Sequence, residues 1–131
     1  MSVGRSGLVY GSGALRAAAR GDRIMWALHR AALTSGIAPI VPAVAIADGF
    51  RTEARGDRLN DLLDGSEVES MSEVAAQRAG ELASKVPTTD IVAATVADTA
   101  ARHNCAVVAS RQNALSGAAS LLGHKLVLYA V

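Results

Sequence analysis

The chain has 131 residues, half of them hydrophobic but only four aromatic, and a formal net charge of +1. That length suits one domain over 1–131 with a loose N-terminus at 1–6, large enough to bury a core without disulfides or a structural metal. Eleven Arg against two Lys favour guanidinium pairing over a broad basic field, so charge alone does not mark a nucleic-acid binder.

In chain order, residues 7–10 (GLVY) form an apolar run bounded by glycine, which predicts a strand covered on both faces. Helical sequence follows. Leu15 leads a run of alanines, and then Ile24, Leu28 and Ala32, or Met25, Leu28 and Ala32, fall at spacings of three and four; Gly21 and Gly36 punctuate the stretch, giving one broken helix or two short ones. A second strand is predicted at 37–41 (IAPIV), and Pro42 opens a helix over about 43–51. Residues 52–65 read as a charged surface helix with an apolar patch at Leu59, Leu62 and Leu63, closed by Gly65. The weak strand 67–71 (EVESM) alternates like a sheet edge. Ser72 starts an amphipathic helix that Pro87 stops, and Thr88 or Thr89 is expected to cap the next helix, 90–103. The clearest strand is 105–110 (CAVVAS), followed by a helix at about 112–122 and a last strand at 125–130 (KLVLYA).

Strands separated by helices throughout imply right-handed crossovers and a mostly parallel sheet of about five strands with helices on both faces: an α/β/α sandwich. Cys105 is the only cysteine, so the chain has no disulfide framework and no Cys-based zinc site, and a reducing cytoplasm fits. Cys105 itself is expected to be a small buried apolar residue. No apolar run approaches the roughly 20 residues of a membrane span, so no membrane partner is expected.

Chemistry in such a sheet collects at the carboxyl ends of the strands. The segment GSGALRAAARG after the first strand places Arg16 where a dinucleotide fingerprint needs its third glycine, so backbone demands of a turn explain Gly11 and Gly13 more simply. His29, His103 and His124 lack ligand spacing and read as surface or helix-end residues. Asp22, Asp57, Asp61, Asp64 and Asp98 read as solvated charge. Ser12 and Ser110 stand at strand ends without a predicted base, which leaves a serine nucleophile unsupported. Arg51, Arg55 and Arg58 are candidates for phosphate contact, although Glu53, Asp57 and Asp61 interleave with them as on a solvated face.

From Leu8 to Tyr129 the sequence resembles the PIN-domain family, and within it the VapC toxin ribonucleases. The matching stretches are LVYGSGAL, IVPAVAIADGFR, TTDIVAATVADTAARHNCAVVAS and LLGHKLVLYAV. The resemblance implies a sheet of order 3-2-1-4-5 and a cluster of carboxylates that holds Mg²⁺ or Mn²⁺ for in-line attack on a phosphodiester. Aligned so, Gly11 stands in place of the first Asp, Asp48 in place of a Glu, Ala93 in place of the third acid, and Arg111 where a further Asp is expected. Asp90 survives one turn before Ala93, and Ser12, Ser110 and Asn113 complete the expected cleft. Two carboxylates beside an Arg carry a net charge of about −1, too little to hold a well-dehydrated Mg²⁺ without substrate phosphates.

The expectation is therefore a PIN-like pseudoenzyme with no resident cofactor, acting as a binding module for RNA or a protein partner. Its Arg111 would replace the metal as counter-charge to Asp48 and Asp90. The alternative is a Mg²⁺- or Mn²⁺-dependent endoribonuclease, the toxin of a toxin–antitoxin pair, working through Asp48 and Asp90. The resemblance also implies an antitoxin-like small-protein partner, and the surface patch at Leu59, Leu62 and Leu63 argues for a homodimer.

Overall fold

The computed structural model describes residues 7–52, 56–86, 89–110 and 128–131. The predicted helix at 112–122, the first part of the last strand, Arg55, Arg111, Asn113 and His124 lie outside them. Five short strands, β1 (Leu8–Tyr10), β2 (Ile40–Pro42), β3 (Glu67–Glu69), β4 (Ala106–Ala109) and β5 (Leu128–Ala130), form one sheet of order β3-β2-β1-β4-β5. All four pairings are parallel. Between the strands run α1 (Ser12–Ala19), α2 (Arg23–Ser35), α3 (Ala43–Thr52), α4 (Asp57–Asp64), α5 (Glu73–Lys85) and α6 (Ile91–His103).

The strand order explains the layers. From β1 the chain steps outward to β2 and β3, then crosses back over β2 and β1 to reach β4 on the other side. Right-handed crossovers in opposite directions put their helices on opposite faces, so α5 and α6 lie across the sheet from α1 and α2. The inner positions are small and branched: Val9, Val41, Val107 and Val108 in the strands meet Ala14, Ala17 and Ala18 of α1 and Ala94, Ala97 and Ala100 of α6, all buried. Alanine-faced helices approach a sheet closely, which is how a core poor in aromatics reaches native packing density.

Helix boundaries follow local chemistry. Asp22 caps α2 by accepting from Met25 N at 3.1 Å, and Gly36 ends the helix at φ 82°, a left-handed conformation that favours glycine. Ser72 caps α5 as expected, accepting from Ala75 N at 3.1 Å. The cap of α6 is Asp90, not Thr88 or Thr89: its side chain accepts from Ala93 N at 2.8 Å, and Thr89 is buried one residue earlier. A carboxylate is the better partner for the positive end of the helix.

Four other expectations are corrected, three of them by tertiary contacts. Leu59 and Leu62 are fully buried and Leu63 packs against the core, so the patch that argued for a homodimer lies inside the molecule. His29 is not at the surface: it is 2% exposed, its Nδ1 lies 2.8 Å from the Tyr10 hydroxyl, and Trp26 meets its ring edge-on. Burial lowers the His29 pKa and raises that of the Tyr10 hydroxyl, so both groups are neutral and share one hydrogen bond. Asp98 is not solvated: it is 3% exposed and paired with Arg78 and Arg102. Asp22 serves as a cap. Asp57, Asp61 and Asp64 are exposed as expected, and Cys105 is buried. Among the described residues no helix is long and apolar enough to cross a membrane.

Candidate functional site

The strand order reverses around β1, which has β2 on one side and β4 on the other, so the crevice for chemistry opens where β1 and β4 end. After β1 the backbone stays extended at Gly11 (φ −88°, ψ 178°), whose N–H donates to Val108 O at 3.1 Å. This conformation is open to any residue, so the backbone does not require glycine at position 11, contrary to expectation. A Cβ there would meet Val108 O at 3.6 Å and Val96 of α6 at 3.8 Å, which are ordinary contacts. Gly13 is different. A Cβ would come within 2.7 Å of both the Cβ and the N of Ser110, so only glycine lets the start of α1 press against the end of β4. Positions 11, 12, 13, 96 and 110 thus converge at one end of the sheet.

Asp48 joins them from α3, which packs along α1. Its Oδ1 accepts from Arg51 Nη2 at 2.7 Å and Nε at 3.2 Å, and its Oδ2 from Arg16 Nη1 at 3.3 Å. The nearby Ser12 hydroxyl is the largest influence holding Asp48 below the ordinary carboxylate range; Arg51 and Arg16 act in the same direction, and partial burial opposes them. The Ser12 contact is loose, because its enclosed Oγ makes no hydrogen bond of regular geometry. The guanidinium contacts are the firm ones. Two cations against one anion leave this corner with a net charge of +1.

Arg16 was not foreseen as a site residue, since its meeting with Asp48 depends on α1 lying against α3. Arg51, a candidate for phosphate contact, instead pairs with Asp48 three residues earlier on the same helix. Arg58 is engaged elsewhere, donating to Ala19 O at 3.0 Å.

Of the other expected cleft residues, Asp90 stands at the start of α6 with one oxygen bound to its own helix. That helix runs back into β4, so its N-terminal end belongs to the same edge of the sheet. Ala93 is partly buried against the core, and one turn later Val96 faces Gly11. Ser110 is partly buried beside Gly13.

These residues do not suit a hard divalent cation, which requires several carboxylate or carbonyl oxygens converging on one point. The Asp48 oxygens already face guanidinium groups, and one Asp90 oxygen is held by a backbone N–H. Among the described residues no three His, Cys, Asp or Glu side chains gather where they could hold a metal ion. The sequence after Asp98 contains no further Asp or Glu, so the segment following β4 brings no side-chain carboxylate to the crevice.

No family model matches this sequence, and no curated protein matches it. Among solved structures the chain is similar to VapBC2 from Rickettsia felis, bound to a DNA fragment from their promoter, with a TM-score of 0.68 and 14% identity. The match covers 95% of this chain and 98% of that one. At this identity the likeness carries the fold alone: the chain has a PIN-like fold, with the sheet order 3-2-1-4-5 that the sequence resemblance implied.

Proposed function

We propose that this chain is a VapC-like PIN fold kept for binding, with RNA or a small antitoxin-like protein as its partner, and not for metal-dependent cleavage of RNA. One observation carries the reading. Asp48, the carboxylate that the sequence resemblance sets in place of a metal-binding Glu, is held by Arg16 and Arg51, while Gly11 and Val96 face each other at the same end of the sheet. Protein cations stand where a metal's charge would be needed. A cleft so arranged attracts an anionic or hydrogen-bonding partner more readily than a cation. The structural likeness to a VapBC2 assembly supports the antitoxin-like partner.

The alternative, a Mg²⁺- or Mn²⁺-dependent endoribonuclease working through Asp48 and Asp90, draws on one feature: both acids belong to the carboxyl edge of the sheet. It requires both guanidinium groups to leave Asp48 when metal and substrate arrive. Calorimetric titration with Mn²⁺ at millimolar concentration, together with the melting temperature, separates the two readings. The proposal expects neither binding heat nor a rise in melting temperature. A saturable isotherm with a matching thermal shift would overturn it, because a ligand of the folded state must stabilise that state.

A further inference from the structure

Away from the crevice, α5 and α6 are joined by a charged cluster that extends to β3. Both oxygens of the buried Asp98 are occupied, Oδ1 by Arg78 Nη2 at 3.2 Å and Oδ2 by Arg102 Nε at 3.0 Å. Both oxygens of Glu69 are occupied as well: Oε1 faces Arg102 Nη2 at 2.6 Å and the Thr99 hydroxyl at 3.4 Å, and Oε2 faces His103 Nε2 at 2.6 Å. The acceptors of the cluster are therefore all in use.

The donors are not. A guanidinium offers five N–H groups. Among the described residues Arg78 Nε and Nη1 and Arg102 Nη1 have no partner, and neither has the Ser70 hydroxyl. These side chains line one cavity of about 280 Å³, together with Glu69, Ser72, Val74 and Ala75. Asp98 holds Arg102 through Nε and lies 3.2 Å from one Arg78 nitrogen, which limits part of the side-chain entropy lost when a ligand binds. On the outer side Val74 is 61% exposed, and the neighbouring Met71 and Val68 are also exposed.

We infer that this cavity between the β3–α5 turn and α6 is a carboxylate-binding site, recognising a carboxylate on a short apolar stem. Nη1 of Arg78, Nη1 of Arg102 and the Ser70 hydroxyl can each donate a single bond to a carboxylate, and Val74 and Ala75 offer methyl surface to the stem. The volume of about 280 Å³ lies just below the range of small-molecule pockets, suited to a group about the size of a glutamate side chain. That carboxylate comes either from a free organic acid or from an acidic side chain of a protein.

The test is NMR titration of the ¹⁵N-labelled full chain with two probes: glutarate, and the blocked tripeptide acetyl-Ala-Glu-Leu-amide with its Gln counterpart as control. Saturable shifts confined to residues 70–78 and to Arg102 are expected with at least one probe. Glutarate binding identifies a free acid as sufficient; binding of the Glu peptide alone assigns the site to a protein side chain. Arg78→Gln should weaken binding at least tenfold. Val74→Asp, a change at an exposed position that places a negative charge at the mouth, should do the same without lowering the melting temperature. Asp48→Asn should leave it unchanged, which separates this site from the crevice. Absence of shifts with both probes at 10-fold above a millimolar concentration, about the limit of a useful weak site, or equal binding by wild type, Arg78→Gln and Val74→Asp, would overturn the inference.

Discussion

Replacing Asp98 with Asn keeps the shape of the side chain and removes the charge that two arginines share. Asp98 is 3% exposed, whereas the Arg102 and Arg78 side chains retain 30% and 49% exposure, so water compensates part of what they lose. Breaking a fully buried pair by removing one partner costs about 3–5 kcal/mol, and the exposure of the arginines reduces this to about 2–3 kcal/mol. With a urea m-value of about 2 kcal/mol/M, the unfolding midpoint should fall by about 1–1.5 M. Arg78→Ala removes only the more exposed partner and should cost about 0.5–1 kcal/mol. Equilibrium unfolding in urea followed by far-UV circular dichroism measures both. An Asp98→Asn midpoint within about 0.25 M of wild type would show that apolar contacts alone hold α5 to α6, and the electrostatic reasoning would fail.

Gly13→Ala should destabilise by about 1–3 kcal/mol through overlap with Ser110, whereas Gly11→Ala should be neutral or stabilising by up to about 1 kcal/mol; the two urea midpoints decide it, and equal losses would refute the distinction. Tyr10→Phe leaves His29 Nδ1 buried without its hydrogen-bond partner and should cost about 1–3 kcal/mol, read from the same transition. As the pH falls below the ordinary histidine value of 6.5, the unfolded chain protonates His29 while the folded chain resists, so stability should decline until the lowered folded pKa is reached. That decline should be absent in His29→Gln, and its persistence there would assign it to another group. Asp48 and Glu69 have depressed folded pKa values, so their contribution is present above the ordinary carboxylate range and is lost as the pH falls through the folded values. Burial works to raise Glu69, but the bonds from Arg102 and His103 outweigh it. Combined Asp48→Asn and Glu69→Gln substitution should therefore flatten the acid limb of the stability curve.

The alternation of short apolar runs with helical periods was enough to place all five strands and to anticipate a parallel sheet, because period and punctuation are local properties. Ser72 and Gly36 were readable for the same reason. Two local caps, Asp22 and Asp90, were missed as well; the other failures depended on contacts between distant segments. Nothing near His29 in sequence indicates that it meets Tyr10, nineteen residues earlier. Asp98 reads as a solvated helix residue until α5 brings Arg78 against it. Leu59, Leu62 and Leu63 look like surplus surface until α1 covers the face of α4 that carries them. At the crevice, the reading that Gly11 and Ala93 stand in place of acids rests on the sequence resemblance alone. The cation expected to compensate Asp48 was Arg111; among the described residues that part falls to Arg16 and Arg51. Arg51 could have been inferred from its helical spacing, and Arg16 could not.

The central claim, that this PIN-like fold binds without metal-dependent cleavage, is tested most directly by incubating the purified protein with labelled single-stranded RNA and millimolar Mn²⁺, with and without EDTA. The account predicts intact RNA in both arms and no difference between wild type and Asp48→Asn. Chelator-sensitive cleavage by the wild type, lost in Asp48→Asn, would contradict it and show that Arg16 and Arg51 guard a working metal site.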